Sequence, residues 1–140
     1  MQRKPYEVFE HTADIGISAF GTTLAELFIH AAQGMESVMV APEQIHETMS
    51  CAISVEGHDH IALLISWLNE LIFLFDTEYL LFRSFEITAI TDNHLEGRAT
   101  GERYDRERHD LGSAVKAATW HEASIERRDN GYQARIILDL

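Results

Sequence analysis

Three places along the 140-residue chain gather side chains able to do chemistry. The first is His11-Thr12-Ala13-Asp14-Ile15-Gly16, where Asp14 offers a hard oxygen of the kind calcium and magnesium prefer. The same residues are good turn formers. Asp14 can cap backbone amides and Gly16 can relieve crowding, so spacing alone favours a turn. The second place is Asp139-Leu140. Asp139 falls in phase with Arg135 and Ile137, opposite Ala134, Ile136 and Leu138, so an alternating strand leaves its carboxylate clear of the face those three would bury. With the main-chain carboxylate of Leu140 one residue on, two anionic groups repel unless water or a cation shares them. Water is the simpler answer from spacing.

The third place is Gly101-Glu102 together with His109, Lys116, Thr119 and His121. Glu102, Arg103 and Lys116 could form surface ion pairs worth well under ~1 kcal/mol each. His121, beside Trp120, reads as a structural histidine, and no serine or cysteine stands near these groups in sequence to complete a triad. The chain has no Cys-Cys zinc pair, glycine-rich phosphate loop, Gly-x-Ser-x-Gly elbow or His-Glu-x-x-His helix. Gly97 to Gly101 comes nearest to a phosphate loop but lacks the lysine and lies in a strand pattern. The expectation is a protein without catalytic residues of its own.

Charge narrows the partners. Asp and Glu number 23 against 11 Lys and Arg, a formal net charge of -12. Nucleic-acid backbones are held by neutralising phosphates, so a chain this acidic is expected to bind RNA or DNA weakly. The basic cluster Arg103, Arg106, Arg108 and Lys116 is interleaved with Glu102, Asp105, Glu107 and Asp110. A basic protein partner or a divalent cation suits this balance better, although charge also simply confers solubility. Cys51 has no partner for a disulfide and reads as a small, mostly buried strand residue. The opening apolar stretch is broken by Glu7, Glu10, His11 and Asp14, unlike a signal peptide. The run Ile61 to Phe75 carries Ser66, Asn69 and Glu70 and is too short to span a membrane. Cytoplasm is the expected location.

These groups must be positioned by a small set of elements. Tyr6 to His11 and Ile15 to Phe20 read as strands. Thr23 with Glu26 has capping-box spacing, and the following helix runs to about Val38 with Leu24, Leu27, Phe28, Ala31, Met35 and Val38 as its buried stripe. Glu26, His30 and Gln33 fall outside that stripe. A strand at His46 to Val55 precedes a second helix, capped by Asp59 and apolar on most sides from Ile61 to Phe75. Strands at Leu81 to Ile90 and Leu95 to Tyr104 flank a turn around Asp92-Asn93. Asp105 to Gly112 is too charged for a buried element and reads as a loop. Ser113 to Thr119 either forms a helical turn or enters the next strand directly. His121 to Arg128 and Tyr132 to Leu138 are joined by Asp129-Asn130-Gly131, a strong hairpin signal. This order argues for an α+β fold in a single domain over residues 1–140, and against a doubly wound sheet.

Four segments together resemble the archease family: HTADIGISAFGTTLAELFIHAAQGMESVM, LLISWLNELIFLFD, GERYDRERHDLGSAVKAATWH and ARIILDL. They span nearly the whole chain in the family's order. Trp120 stands where many members have tyrosine. The resemblance implies a strand-helix-strand-strand unit carrying an inserted helix-and-strand element, with mixed or antiparallel sheets packed on two main helices. It also implies an accessory protein of the RtcB-type RNA ligase in transfer-RNA splicing or RNA repair. In that role it promotes guanylylation of the ligase and repeated turnover; the GTP is used by the ligase and is not expected to bind here alone. By the same resemblance, Asp14, Asp139 and Leu140 are the expected ligands of calcium or a similar hard divalent cation. Lys116 is the residue expected to matter for activation, with His11, Glu102, His109 and His121 as possible supporting residues. A generic acidic adaptor or chaperone is the alternative, with a small hydrolase third.

Overall fold

A computed structural model describes residues 4–11 and 14–140. Its order is β1 (Tyr6–His11), β2 (Asp14–Gly21), α1 (Leu24–Met39), a short 3-10 turn (Pro42–Gln44), β3 (Met49–Glu56), α2 (His60–Glu78), β4 (Leu80–Ile90), β5 (His94–Arg103), β6 (Ala117–Arg128) and β7 (Gly131–Asp139). A four-stranded sheet runs β1-β2-β7-β6 and a three-stranded sheet runs β3-β5-β4, every pairing antiparallel. The α+β expectation holds. The unit β2-α1-β6-β7 is interrupted between α1 and β6 by β3-α2-β4-β5, which form the inserted element.

Both helices begin as their sequences dictate. The Thr23 hydroxyl accepts from the Glu26 N–H at 3.1 Å, and Glu26 returns a carboxylate oxygen to the Thr22 N–H at 3.0 Å. Asp59 accepts from the Ala62 N–H at 2.8 Å. In α1, Leu27, Phe28, Ala31, Met35 and Met39 are buried against the four-stranded sheet and β4. In α2, Leu64, Trp67, Leu68 and Leu71 are fully or almost fully buried, and the Trp67 indole donates to the Phe28 carbonyl at 2.9 Å. One core therefore joins both helices to both sheets. Helix α2 is long and apolar enough to meet a length-and-composition test for a membrane span, as the core helix of a folded domain also does.

Four boundaries differ from expectation, each through a particular contact. β3 begins at Met49, not His46, because the His46 N–H is taken by the Glu102 side chain. Helix α2 continues to Glu78, where Tyr79 stops it at φ 61 and donates its N–H to the Phe75 carbonyl. β5 ends at Arg103, because the Tyr104 N–H turns to the Tyr79 carbonyl. β6 begins at Ala117 with no helical turn before it, and its ladder jumps from Thr119↔Ile137 to Ser124↔Arg135. Trp120 to Ala123 thus stand opposite Ile136 alone, a wide bulge with Glu122 at φ 52. Cys51 is half-buried on the edge strand β3.

Candidate functional site

Sheet register gathers one set of candidates at one end of the four-stranded sheet. His11 pairs with Asp14 across β1 and β2, and Ile15 pairs with Leu138 across β2 and β7. Asp14 and Asp139 each stand one residue beyond that last pair, on β2 and β7. On the other side of β7, Asp139 pairs with Ala117, and its carbonyl accepts from the Lys116 N–H at 2.8 Å. Backbone of the opening motif, the late motif and the final residues is therefore collected at one sheet end. Asp14 is half-buried, Asp139 and Lys116 are exposed, and Leu140 is half-buried against the core. Thr12, Ala13 and the side chain of His11 lie outside the described residues. Among the described residues, no group of three or more His, Cys, Asp or Glu side chains stands together as a metal cluster.

Glu102 and His109 form a separate knot and are not surface groups. Glu102 is 6% exposed, where sequence allowed surface ion pairing with Arg103 and Lys116. Its carboxylate instead accepts from the His46 N–H at 2.6 Å and from His109 Nε2 at 2.9 Å, and pairs with the Arg108 guanidinium. The Asp105 N–H donates to His109 Nδ1 at 2.9 Å, so the ring proton sits on Nε2 and faces Glu102. His109 also stacks on Tyr104, with ring centroids 5.9 Å apart. Burial would raise the Glu102 carboxyl, but the hydrogen bonds from His46, Arg108 and His109 outweigh it and hold the group at about 2.

This knot starts a lacing that ends at the other set. Gln44 and Asp110 exchange two hydrogen bonds, at 3.0 and 2.8 Å. The Gly112 N–H then reaches the Met39 carbonyl at 2.7 Å and the Ser113 N–H the Val38 carbonyl at 3.0 Å. These are carbonyls that the C-terminal turn of α1 cannot satisfy within itself. A Cβ at Gly112 would stand 2.7 Å from the Val38 carbonyl oxygen, so glycine alone permits this approach. The charged loop thus crosses the end of α1, tied at both ends by hydrogen bonds, and brings Lys116 beside Asp139. His121 lies in the β6 bulge, its ring 3.1 Å from the Glu122 carboxylate.

Sequence reading passed over Glu36. It is 2% exposed on α1, with one oxygen accepting from the Phe82 N–H at 2.9 Å and the other, Oε2, without a hydrogen-bond partner. It borders a cavity of about 210 Å³ beside Tyr6, Gln33 and Arg83. Burial pushes its carboxyl up to about 8, against the smaller opposing effect of the Phe82 N–H. The signal was available: Phe28, Ala32 and Glu36 recur at four-residue steps and so share one helix face.

Comparison with known proteins agrees with this arrangement. The model of the Archease protein family matches residues 6–140. Protein archease of Sulfurisphaera tokodaii is 37% identical over 136 residues, covering 96% of this chain and 98% of the relative. That of Pyrococcus furiosus is 38% identical over 141 residues, covering 98% and 99%. The solution structure of Methanobacterium thermoautotrophicum protein 1598 superposes with a TM-score of 0.84 at 37% identity, covering 97% of this chain and 99% of that one. The Thermotoga maritima archease, described as a possible chaperone, shares the fold with a TM-score of 0.67 at 21% identity, covering 100% and 98%. With the family match running from the first strand to the last residue, this chain belongs to the archease family.

Proposed function

We propose that this protein activates an RtcB-type RNA ligase, promoting its guanylylation and multiple turnover in transfer-RNA splicing or RNA repair, without catalysing a reaction itself. The observation that carries the reading is the register Ile15↔Leu138 with Ala117↔Asp139. It unites backbone from three of the four segments that carry the family resemblance. Asp14, Asp139 and the main-chain carboxylate of Leu140 are the proposed ligands of calcium or a similar hard cation. The donor set fits: every group is an oxygen, which suits calcium or magnesium and not the thiolate-rich sites that select zinc. When bound, the cation would supply positive charge that relieves repulsion among the three anionic groups. Lys116, tied through its own backbone to Asp139, is the proposed contact for activation. Net charge -12 makes the ligase protein, and not RNA, the proposed direct partner, and RNA binding by this chain alone should be weak at physiological salt.

The test is joined RNA per ligase over time, with GTP and divalent metal saturating, with and without this protein. Conversion from few turnovers to many is expected; unchanged turnover with a cognate ligase rejects the reading. Calcium titration calorimetry on the isolated protein then addresses the cation. Asp14→Ala and Asp139→Ala should each weaken binding by about tenfold or more, since each removes an oxygen ligand from the set. A chain extended by one glycine past Leu140 should also bind less tightly. Equal binding by all four proteins sinks the three-group site. Normal binding by the extended chain alone leaves the two aspartates and removes Leu140.

A further inference from the structure

A groove of about 720 Å³ lies between α2, the β3–α2 turn and the β6 bulge, and neither Asp14 nor Asp139 lines it. Two large apolar side chains stand out beside it: Trp120 is 56% exposed and Phe73 is 55% exposed. Trp120 is not a stray surface residue. The Asn69 side chain accepts from the Ala118 N–H at 2.8 Å and donates to the Ala118 carbonyl at 3.2 Å, which fastens β6 to α2 two residues before Trp120. From that fixed base the bulge turns Trp120 outward, with Glu122 held in the left-handed region that non-glycine residues rarely adopt. The indole then stacks on the His58 ring, centroids 6.0 Å apart and planes 12° from parallel. The Trp120 side chain is thus presented, with its orientation set from two sides.

The groove's chemistry selects its occupant. Val55 and Ile65 supply an apolar floor, Glu56 and Glu70 bring carboxylates to it, and among the described residues no lysine or arginine lines it. We propose that this groove docks a segment of a protein partner that alternates apolar residues with arginine. The apolar residues would cover the floor, and the guanidinium would lie against Trp120 while the glutamates neutralise it. Arginine is favoured over lysine because its planar, weakly hydrated cation stacks on an aromatic face. Nucleic acid could stack bases on Trp120, but its phosphates would meet Glu56, Glu70 and a chain of net charge -12. A second copy of this chain would bring the same acidic excess. In naming the ligase as the bearer of the segment, the proposal rests on the function proposed above; the groove's preference for arginine does not.

Two measurements separate these points. In the first, amide NMR shifts of the full chain are followed while amidated six-residue peptides of alternating Arg-Leu, Lys-Leu or Glu-Leu are added. The Arg-Leu peptide should shift His58, Asn69, Phe73 and the Trp120 indole. It should bind several-fold tighter than Lys-Leu, and Glu-Leu should not bind. Trp120→Ala, at an exposed position, and Glu56→Gln with Glu70→Gln should each weaken Arg-Leu by at least about fivefold while leaving the thermal transition in place. Shifts mapping elsewhere, or equal binding by Trp120→Ala, overturn the proposal. In the second, cognate ligase is titrated with wild type and Trp120→Ala. Tenfold or weaker binding by the variant is expected. Equal binding overturns the assignment of this groove to the ligase. A ligase that ignores the wild-type protein defeats the functional reading, while the peptide result still decides the groove. A wild-type dimer that Trp120→Ala dissolves would identify a second copy as the occupant and overturn the proposal as well.

Discussion

Two buried glutamates in this chain live in opposite states. Glu102 is 6% exposed and Glu36 is 2% exposed, so both have lost most of their water. Yet the Glu102 carboxyl is held at about 2 while that of Glu36 is pushed up to about 8. The difference is the supply of donors. Glu102 receives one N–H and two cationic or imidazole donors across both oxygens. Glu36 receives one N–H on one oxygen, and its other oxygen has none. Burial therefore does not determine ionisation. It makes the hydrogen-bond count decisive.

The local reason lies in what each glutamate serves. Glu102 comes at the end of β5, where the chain leaves the sheet for the charged loop and Arg108 and His109 can fold back on it. Glu36 faces the edge strand β4 and supplies an acceptor to the Phe82 N–H, a group that an edge strand would otherwise leave bare in the core. One carboxylate anchors a loop; the other caps a strand and gains nothing for its second oxygen.

The largest effect that would break the contrast is expected from Glu102→Gln. Removing the charge weakens every bond in the knot and frees the loop ahead of Lys116. A loss of about 2–3 kcal/mol at pH 7 is expected in urea denaturation, the range for a buried charge-assisted network. The sign with pH follows from a depressed folded value. The wild-type contribution is present above about 4.5 and is lost as pH falls toward about 2. The variant should show a flatter acid limb. An unchanged midpoint at pH 7 would mean that the knot is ornamental to stability.

Glu36→Gln should act in the opposite direction. Its folded value lies above the unfolded one, so the folded state keeps a proton that the unfolded chain gives up. Wild-type stability should therefore sag between pH 4.5 and about 8, by up to ~1.4 kcal/mol per unit of pH. Glutamine keeps an oxygen for the Phe82 N–H and removes that titration. Its unpaired amide costs about the same at every pH, so the variant should be about 2 kcal/mol less stable than wild type at pH 5 and about 2 kcal/mol more stable at pH 8.5. Urea midpoints at the two pH values check this, and a carboxyl-carbon NMR titration would read both glutamates in one sample. Parallel pH profiles for variant and wild type would show that Glu36 ionises normally in the fold.

The smallest effect sharpens the comparison from within the knot. The Arg108 side chain is 39% exposed, so its share of the Glu102 interaction is screened by solvent. Arg108→Ala should cost less than ~1 kcal/mol and lower the thermal midpoint by only a few degrees. The His46 and His109 hydrogen bonds would remain. A loss as large as that of Glu102→Gln would shift the weight of the knot to the guanidinium.

Local pattern alone determined the element order, the two helix caps, the Asn-Gly hairpin and the division into strands and helices. These depend on residues within a few positions of one another. Tertiary structure decided what the polar residues are for. Glu102 and Lys116 stand on either side of the segment that read as a charged loop, and both read as groups for surface ion pairs. One is buried because His46, 56 residues away, and His109 converge on it; the other is carried to the end of β7 by backbone bonds to α1 and Asp139. Glu36 was in phase with the core, but only the unpaired edge of β4 explains its tolerance there. The β6 bulge was invisible for a similar reason. Trp120 to Ala123 contain no glycine or proline to mark a break, and their displacement appears only when β7 offers Ile136 alone to pair against four residues. Hydrogen-bond partners distant in sequence set the protonation, burial and outward direction of these side chains, and periodicity has no access to partners that only folding brings within reach.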